Sequence, residues 1–125
     1  MSYLLDSRVL LWWLADDPRL TGPVGDRIAD PDARVVVSAA SIWEIGIKQA
    51  LGKLDAPGAI TGLMQAEGFV ELPVSGKHAE AAAQLPPLHR DPFDRMLVVQ
   101  ARLENLVLVT HEEAIAAYDV DTLMV

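Results

Sequence analysis

Short apolar runs alternate along the chain with longer stretches whose apolar residues recur at helical spacing. Tyr3-Leu4-Leu5 is a brief run that stops at Asp6, as a buried strand does. Residues 9–14 (Val-Leu-Leu-Trp-Trp-Leu) follow at once, too long and too helix-friendly for a second strand, and Asp16-Asp17-Pro18 breaks them. A second helix starts near Pro23, a favoured first-turn residue, and ends before Pro31. Residues 34–37 are β-branched and predict a second strand. Ser38 or Ser41 then caps a third helix; Ser41 with Glu44 three residues on fits a capping box, and Gly52 closes the segment. A further helix covers 59–67 and is stopped by Gly68. Residues 69–72 predict a third strand, 75–84 an alanine-rich helix, and Leu85-Pro86-Pro87 a loop. An amphipathic helix over 93–104 leads into a fourth strand over 106–109, and 120–125 supplies a short fifth.

Strands that alternate with helices predict an α/β fold, a parallel sheet with helices on both faces. No repeat, linker or low-complexity stretch divides the chain, so residues 1–125 are expected to form one domain. In such folds functional groups gather beyond the carboxyl ends of the strands. Asp6 directly follows the first strand, and Thr110-His111-Glu112 the fourth. Glu44 and Asp94 are expected near helix starts on the same rim, so four carboxylates can converge there.

Composition narrows the class. A chain that is 51% hydrophobic and 22% charged is globular rather than disordered. No apolar run approaches the roughly 18–20 residues of a membrane span, and no signal-type segment opens the chain, so a cytoplasmic protein is expected. The absence of cysteine excludes disulfides and thiolate zinc sites. The net charge of −8 argues against gripping a nucleic acid by bulk electrostatics. Local engagement through metal ions and a few arginines stays open, as does binding of a basic protein partner.

Each acid has an ordinary structural explanation. Asp6 suits the N-cap of the first helix. Glu44 suits a capping box, or a surface pair with Lys48 four residues on. Yet Ile42, Trp43, Ile45 and Ile47 surround it, so it either reaches a cleft or needs a partner. In Asp91-Pro92-Phe93-Asp94, both acids suit a helix start; Asp94 is also aimed at the rim of the sheet. Burying several carboxylates is costly unless something neutralises them, and together these suggest a shared cation. Oxygen donors without a His or Cys cluster favour Mg²⁺ or Mn²⁺ over zinc. Such an ion supports phosphodiester hydrolysis by activated water. His78, His89 and His111 show no ligand spacing and carry no assigned role. Arg8, Lys48, Arg90 and Arg95 lie near the acids, either to meet phosphates or as ordinary solvated charge. Trp12, Trp13 and Trp43 read as core or interface residues.

The set Leu4-Leu5-Asp6-Ser7 with Leu10 to Leu14, Ser41-Ile42-Trp43-Glu44-Ile45 with Lys48, His89-Arg90-Asp91-Pro92-Phe93-Asp94-Arg95-Met96-Leu97 with Gln100-Ala101, and Leu108-Val109-Thr110 with Tyr118 spans essentially the whole sequence. In this set the chain resembles PIN-domain ribonucleases, specifically VapC-type toxins of prokaryotic toxin–antitoxin pairs. The resemblance implies a three-layer α/β/α sandwich around a parallel sheet of four or five strands and a Mg²⁺- or Mn²⁺-dependent endoribonuclease. It carries the metal-binding and catalytic acids over to Asp6, Glu44 and Asp94, with Asp91 as a further acid. The family's fourth acid falls on Glu112, where Asp is more usual, and Arg8 stands where many relatives carry His. Lys48, Arg90 and Arg95 are candidate contacts to RNA. The resemblance further implies a homodimer neutralised by a VapB-type antitoxin, for which Trp12 and Trp13 on the first helix offer a surface.

Two rival readings remain. A phospho-acceptor receiver domain shares the fold class and an acidic Mg²⁺ pocket, but its chemistry wants a lysine beyond a late strand, and no lysine follows Lys77. A PIN-fold binding module with weak or no catalysis is the other, and Glu112 is the sequence feature that favours it.

Overall fold

A computed structural model of the chain describes residues 1–55 and 58–125. Five parallel strands form one sheet: β1 (Ser2–Leu5), β2 (Arg34–Ser38), β3 (Val70–Leu72), β4 (Val107–Thr110) and β5 (Thr122–Met124). Their order is β3-β2-β1-β4-β5. The chain winds outward from β1 through β2 to β3, then returns to place β4 on the other side of β1. That reversal makes the gap between the carboxyl ends of β1 and β4 the topological switch point, where open parallel sheets form their binding crevice. Register fixes the two strands side by side, with Leu5 opposite Val109.

Helices cover both faces. They are α1 (Ser7–Leu14), α2 (Pro23–Ala29), α3 (Ala39–Ala50), α4 (Ile60–Ala66), α5 (Gly76–Gln84) and α6 (Pro92–Leu103), with 3-10 turns at Pro18–Leu20 and Glu113–Ala117. Alternation along the strands sorts the core into two layers. Tyr3, Leu5, Val35, Val37 and Val109 pack with Val9, Leu10, Ile45, Ile60 and Met64 on one face. Leu4, Val36 and Leu108 pack with Leu97, Val98 and Ala101 of α6, and with Ile115 and Tyr118, on the other. The result is the α/β/α sandwich expected, its sheet all parallel. No described helix is long and apolar enough to cross a membrane.

Two local features explain where elements begin and end. Gly68, at a φ of 79°, ends α4 by letting its own N–H reach Gln65 O and that of Phe69 reach Met64 O. The third helix starts earlier than the Ser41–Glu44 pattern suggests. Ser38, the last residue of β2, caps it by accepting from Ala40 N at 3.1 Å. Ser41 therefore lies inside the helix, and the capping box expected there is absent. A capping box does form at α5, between Ser75 and His78.

Candidate functional site

Asp6 serves two purposes. Its backbone N–H extends the β1–β4 ladder to Val109 O at 3.0 Å. Its Oδ1 caps α1 by accepting from Val9 N at 2.7 Å, and its Oδ2 accepts from Thr110 Oγ1 at 2.6 Å. Asp6 is only 5% exposed. Burial raises its pKa above the ordinary 3.8, against the lowering effects of Thr110, the Val9 and His111 backbone amides and the Arg8 charge. Thr110 also accepts from Glu112 N at 3.0 Å, so one hydroxyl couples the ends of β1 and β4 to the following turn.

Glu44 lies more than a turn into α3 rather than near its start, because the helix begins at Ala39. That position turns it inward, where it is buried. Its Oε1 accepts from Ser7 Oγ at 2.6 Å and its Oε2 from Lys48 Nζ at 3.0 Å. The partner demanded by a carboxylate among isoleucines is thus Ser7 at the start of α1, with the Lys48 pair in addition.

The start of α6 carries the other two aspartates. Asp91 is its N-cap and accepts from Phe93 N at 2.8 Å and Asp94 N at 3.3 Å, with Pro92 at the first helical position. Asp94 is half-buried, and its Oδ2 stands 2.8 Å from His89 Nε2. Burial is the main cause raising its pKa from 3.8 to about 6; the charges of Asp91 and Asp6 add to the rise, and His89 opposes it. Glu112 caps the 3-10 turn after β4, its Oε1 accepting from Ala114 N at 3.2 Å.

All five acids, Asp6, Glu44, Asp91, Asp94 and Glu112, line one cleft of about 820 Å³ at the switch point. Arg8, Arg19, Lys48 and Lys53 line it as well, so basic groups share the opening with the acids; Arg19 is also paired with Asp17 at 2.7 Å. Trp12 forms part of the lining, with Arg19 stacked 4.9 Å from its ring centroid and His111 edge-on at 5.3 Å. Of these, Arg19 and Lys53 were not picked out by sequence as cleft residues, whereas His111 was placed at the rim but given no role.

The candidate RNA contacts part company. Lys48 lines the cleft, bound to Glu44. Arg90 is exposed and outside the lining. Arg95 departs from the expectation, because its guanidinium is already occupied within the protein. Nη1 donates to Pro86 O, His89 O and Tyr118 Oη at 3.1–3.3 Å, and Nη2 donates to Ala82 O and Leu85 O at 3.0 and 2.9 Å. It is a clamp on the loop that precedes α6.

The tightest grouping of potential ligand atoms among the described residues is His89, Asp94 and Glu112, all within 4.8 Å of one another. Asp6, Glu44 and Asp91 share the cleft without joining that set. The donor set as a whole fits a hard divalent cation: it is rich in carboxylate oxygens, and the repulsion from Asp91 and Asp6, which adds to the effect of burial on Asp94, is what a cation relieves.

The sequence matches the PIN domain family over residues 3–121. No curated protein matches it. Among solved structures, the fold is similar to that of VapBC2 from Rickettsia felis bound to a DNA fragment from its promoter, with a TM-score of 0.74 and 14% identity over 99% of this chain and 98% of that one. It is also similar to a toxin–antitoxin complex from Klebsiella pneumoniae, with a TM-score of 0.68 and 18% identity over 98% and 96% of the two chains. VapBC-1 from nontypeable Haemophilus influenzae gives a TM-score of 0.67 and 20% identity over 99% and 98%. At these identities the likeness speaks for the fold.

Proposed function

Since the chain belongs to the PIN domain family, we propose that it is a Mg²⁺- or Mn²⁺-dependent endoribonuclease, the toxin of a VapBC-type pair. The observation that carries this reading is the convergence of Asp6, Glu44, Asp91, Asp94 and Glu112 on one cleft at the switch point of the sheet. Asp6, Glu44 and Asp94 would hold the ion, with Asp91 and Glu112 completing the pocket directly or through water. When bound, the ion supplies an activated water and neutralises charge on the phosphodiester.

The chain's own groups do the positioning. Thr110 and the Val9 amide fix Asp6, and Ser7 and Lys48 fix Glu44. Arg8, Arg19 and Lys53 offer cations to the phosphates of an RNA strand entering the cleft. Such local basic groups are how a chain of net charge −8 would engage a polyanion. The antitoxin partner is supported by the similar solved structures, which are toxin–antitoxin complexes. A homodimer and a cytoplasmic location belong to the same reading. The alternative, a PIN-fold binding module without catalysis, rests on Glu112 in place of an aspartate; Glu112 nonetheless lines the cleft beside Asp94.

Induced expression in a bacterial host should arrest growth and leave new internal ends in cellular RNA. Asp6→Asn should do neither, and co-expression of the cognate antitoxin should restore growth. Equal RNA breakage from Asp6→Asn at equal protein level would overturn the assignment.

A further inference from the structure

His89 opens the motif that runs through Asp94, and it is not itself among the residues that line the cleft. His78 is used in the capping box of α5, and His111 Nδ1 lies 2.8 Å from Val125 O. His89 instead points its Nε2 at Asp94, 2.8 Å from Oδ2, and shares with Asp94 and Glu112 the grouping within 4.8 Å. Around an octahedral divalent ion with bonds of about 2.1 Å, adjacent donors stand roughly 3 Å apart and opposite ones roughly 4.2 Å. The three atoms therefore need only a small side-chain adjustment to close on one ion. Glu112 supplies the reach: its side chain is one methylene longer than that of an aspartate in the same place.

The backbone around His89 is held from both sides. Its N–H donates to Tyr118 Oη at 3.0 Å, and its carbonyl accepts from Arg95 at 3.3 Å. Tyr118 is itself buried and donates to Pro86 O at 2.8 Å. These contacts fix the backbone from which the imidazole projects beside Asp94.

We propose that His89 is a ligand of the ion in this cleft, giving an otherwise carboxylate centre one nitrogen donor and a preference for transition-metal ions over Mg²⁺. Mg²⁺ takes oxygen ligands and gains little from imidazole, while the transition metals bind nitrogen well. The inference rests on the metal-dependent reading above and refines it.

Mn²⁺ is the probe. The full-length protein, stripped with EDTA, is titrated with Mn²⁺ by electron paramagnetic resonance, with Mg²⁺ as competitor. Electron spin echo envelope modulation then reads any directly bound nitrogen. The wild type should bind Mn²⁺ with ¹⁴N modulation. His89→Gln should lose the modulation and roughly tenfold or more in Mn²⁺ affinity, with Mg²⁺ affinity little changed. His111→Gln, altering the histidine that lines the cleft, should keep the nitrogen signal. Tight Mn²⁺ binding by the wild type without ¹⁴N modulation would overturn the His89 assignment and leave the carboxylate pocket standing; so would modulation lost only in His111→Gln. Failure of folded wild type to bind Mn²⁺ at all would overturn both readings.

Discussion

Replacing Asp94 by asparagine separates the demands of folding from those of the ion. In the folded chain the Asp94 carboxyl is raised from 3.8 to about 6, mainly by burial and then by the charges of Asp91 and Asp6. At about 1.4 kcal/mol per pH unit, that gap makes the ionised carboxylate destabilising by on the order of 3 kcal/mol at neutral pH. Asparagine has nearly the same shape and no charge. The His89 contact is already contained in that gap; with the gap discounted for the solvent that reaches this half-buried group, a net gain of about 1–2 kcal/mol is expected. For a domain of this size that raises Tm by several degrees. The sign with pH follows from the direction of the shift. Between about 6 and 3.8 the folded state holds the proton more tightly than the unfolded chain, so wild-type stability rises as pH falls through this window. The advantage of Asp94→Asn should therefore be full above about pH 6 and vanish below the ordinary carboxylate range. Millimolar Mn²⁺ should reverse the ranking at pH 7.5, since binding stabilises only the protein that keeps the ligand. Thermal denaturation of both proteins across pH, with EDTA or with Mn²⁺, measures all of this. A variant less stable than wild type in EDTA at pH 7.5, or one stabilised by Mn²⁺ as much as wild type, would refute the reasoning.

Other positions give independent checks. Thr110→Val removes the hydroxyl that donates to Asp6 and accepts from Glu112 N; Mn²⁺ affinity at pH 7 should fall about tenfold, and an unchanged affinity by titration would show that Thr110 does not position Asp6. Arg95→Lys cannot reproduce contacts to four carbonyls and Tyr118, so denaturant unfolding should show a loss of about 2–3 kcal/mol; a lysine variant of wild-type stability would contradict the clamp. Gly25→Ala places a Cβ at 1.8 Å from Leu20 O, forcing α2 away from the preceding turn, and should cost about 1–3 kcal/mol without altering metal affinity.

Much of the architecture was legible because it depends on local pattern. The apolar runs at 3–5, 34–37 and 106–109 marked the three central strands, and the alternation with helices gave a parallel sheet. Asp6, Asp91, Asp94 and Glu112 were legible because each sits at the boundary of an element, where Asp6 and Asp91 are N-caps as well as cleft residues; Glu44, inside α3, was legible instead as a carboxylate among isoleucines. What escaped needed long-range contacts. Two serines, Ser38 and Ser41, both suited a helix start, and only the end of β2 decides for Ser38. Arg95 looked like a cation free to meet phosphate. Its role follows from the end of α5 and the loop after it, whose carbonyls at Ala82, Leu85, Pro86 and His89 converge on the guanidinium. His89 carried no ligand spacing because its companions, Asp94 and Glu112, stand 5 and 23 residues away and meet it only across the fold.

The central claim is tested most directly by incubating the purified, antitoxin-free protein with total cellular RNA in Mg²⁺, in Mn²⁺ and in EDTA, and mapping new ends. Discrete cuts that require the divalent ion and disappear in Asp6→Asn and Asp94→Asn are the predicted result. Folded protein that leaves RNA intact in both metals, or cuts it equally in EDTA, would contradict the claim.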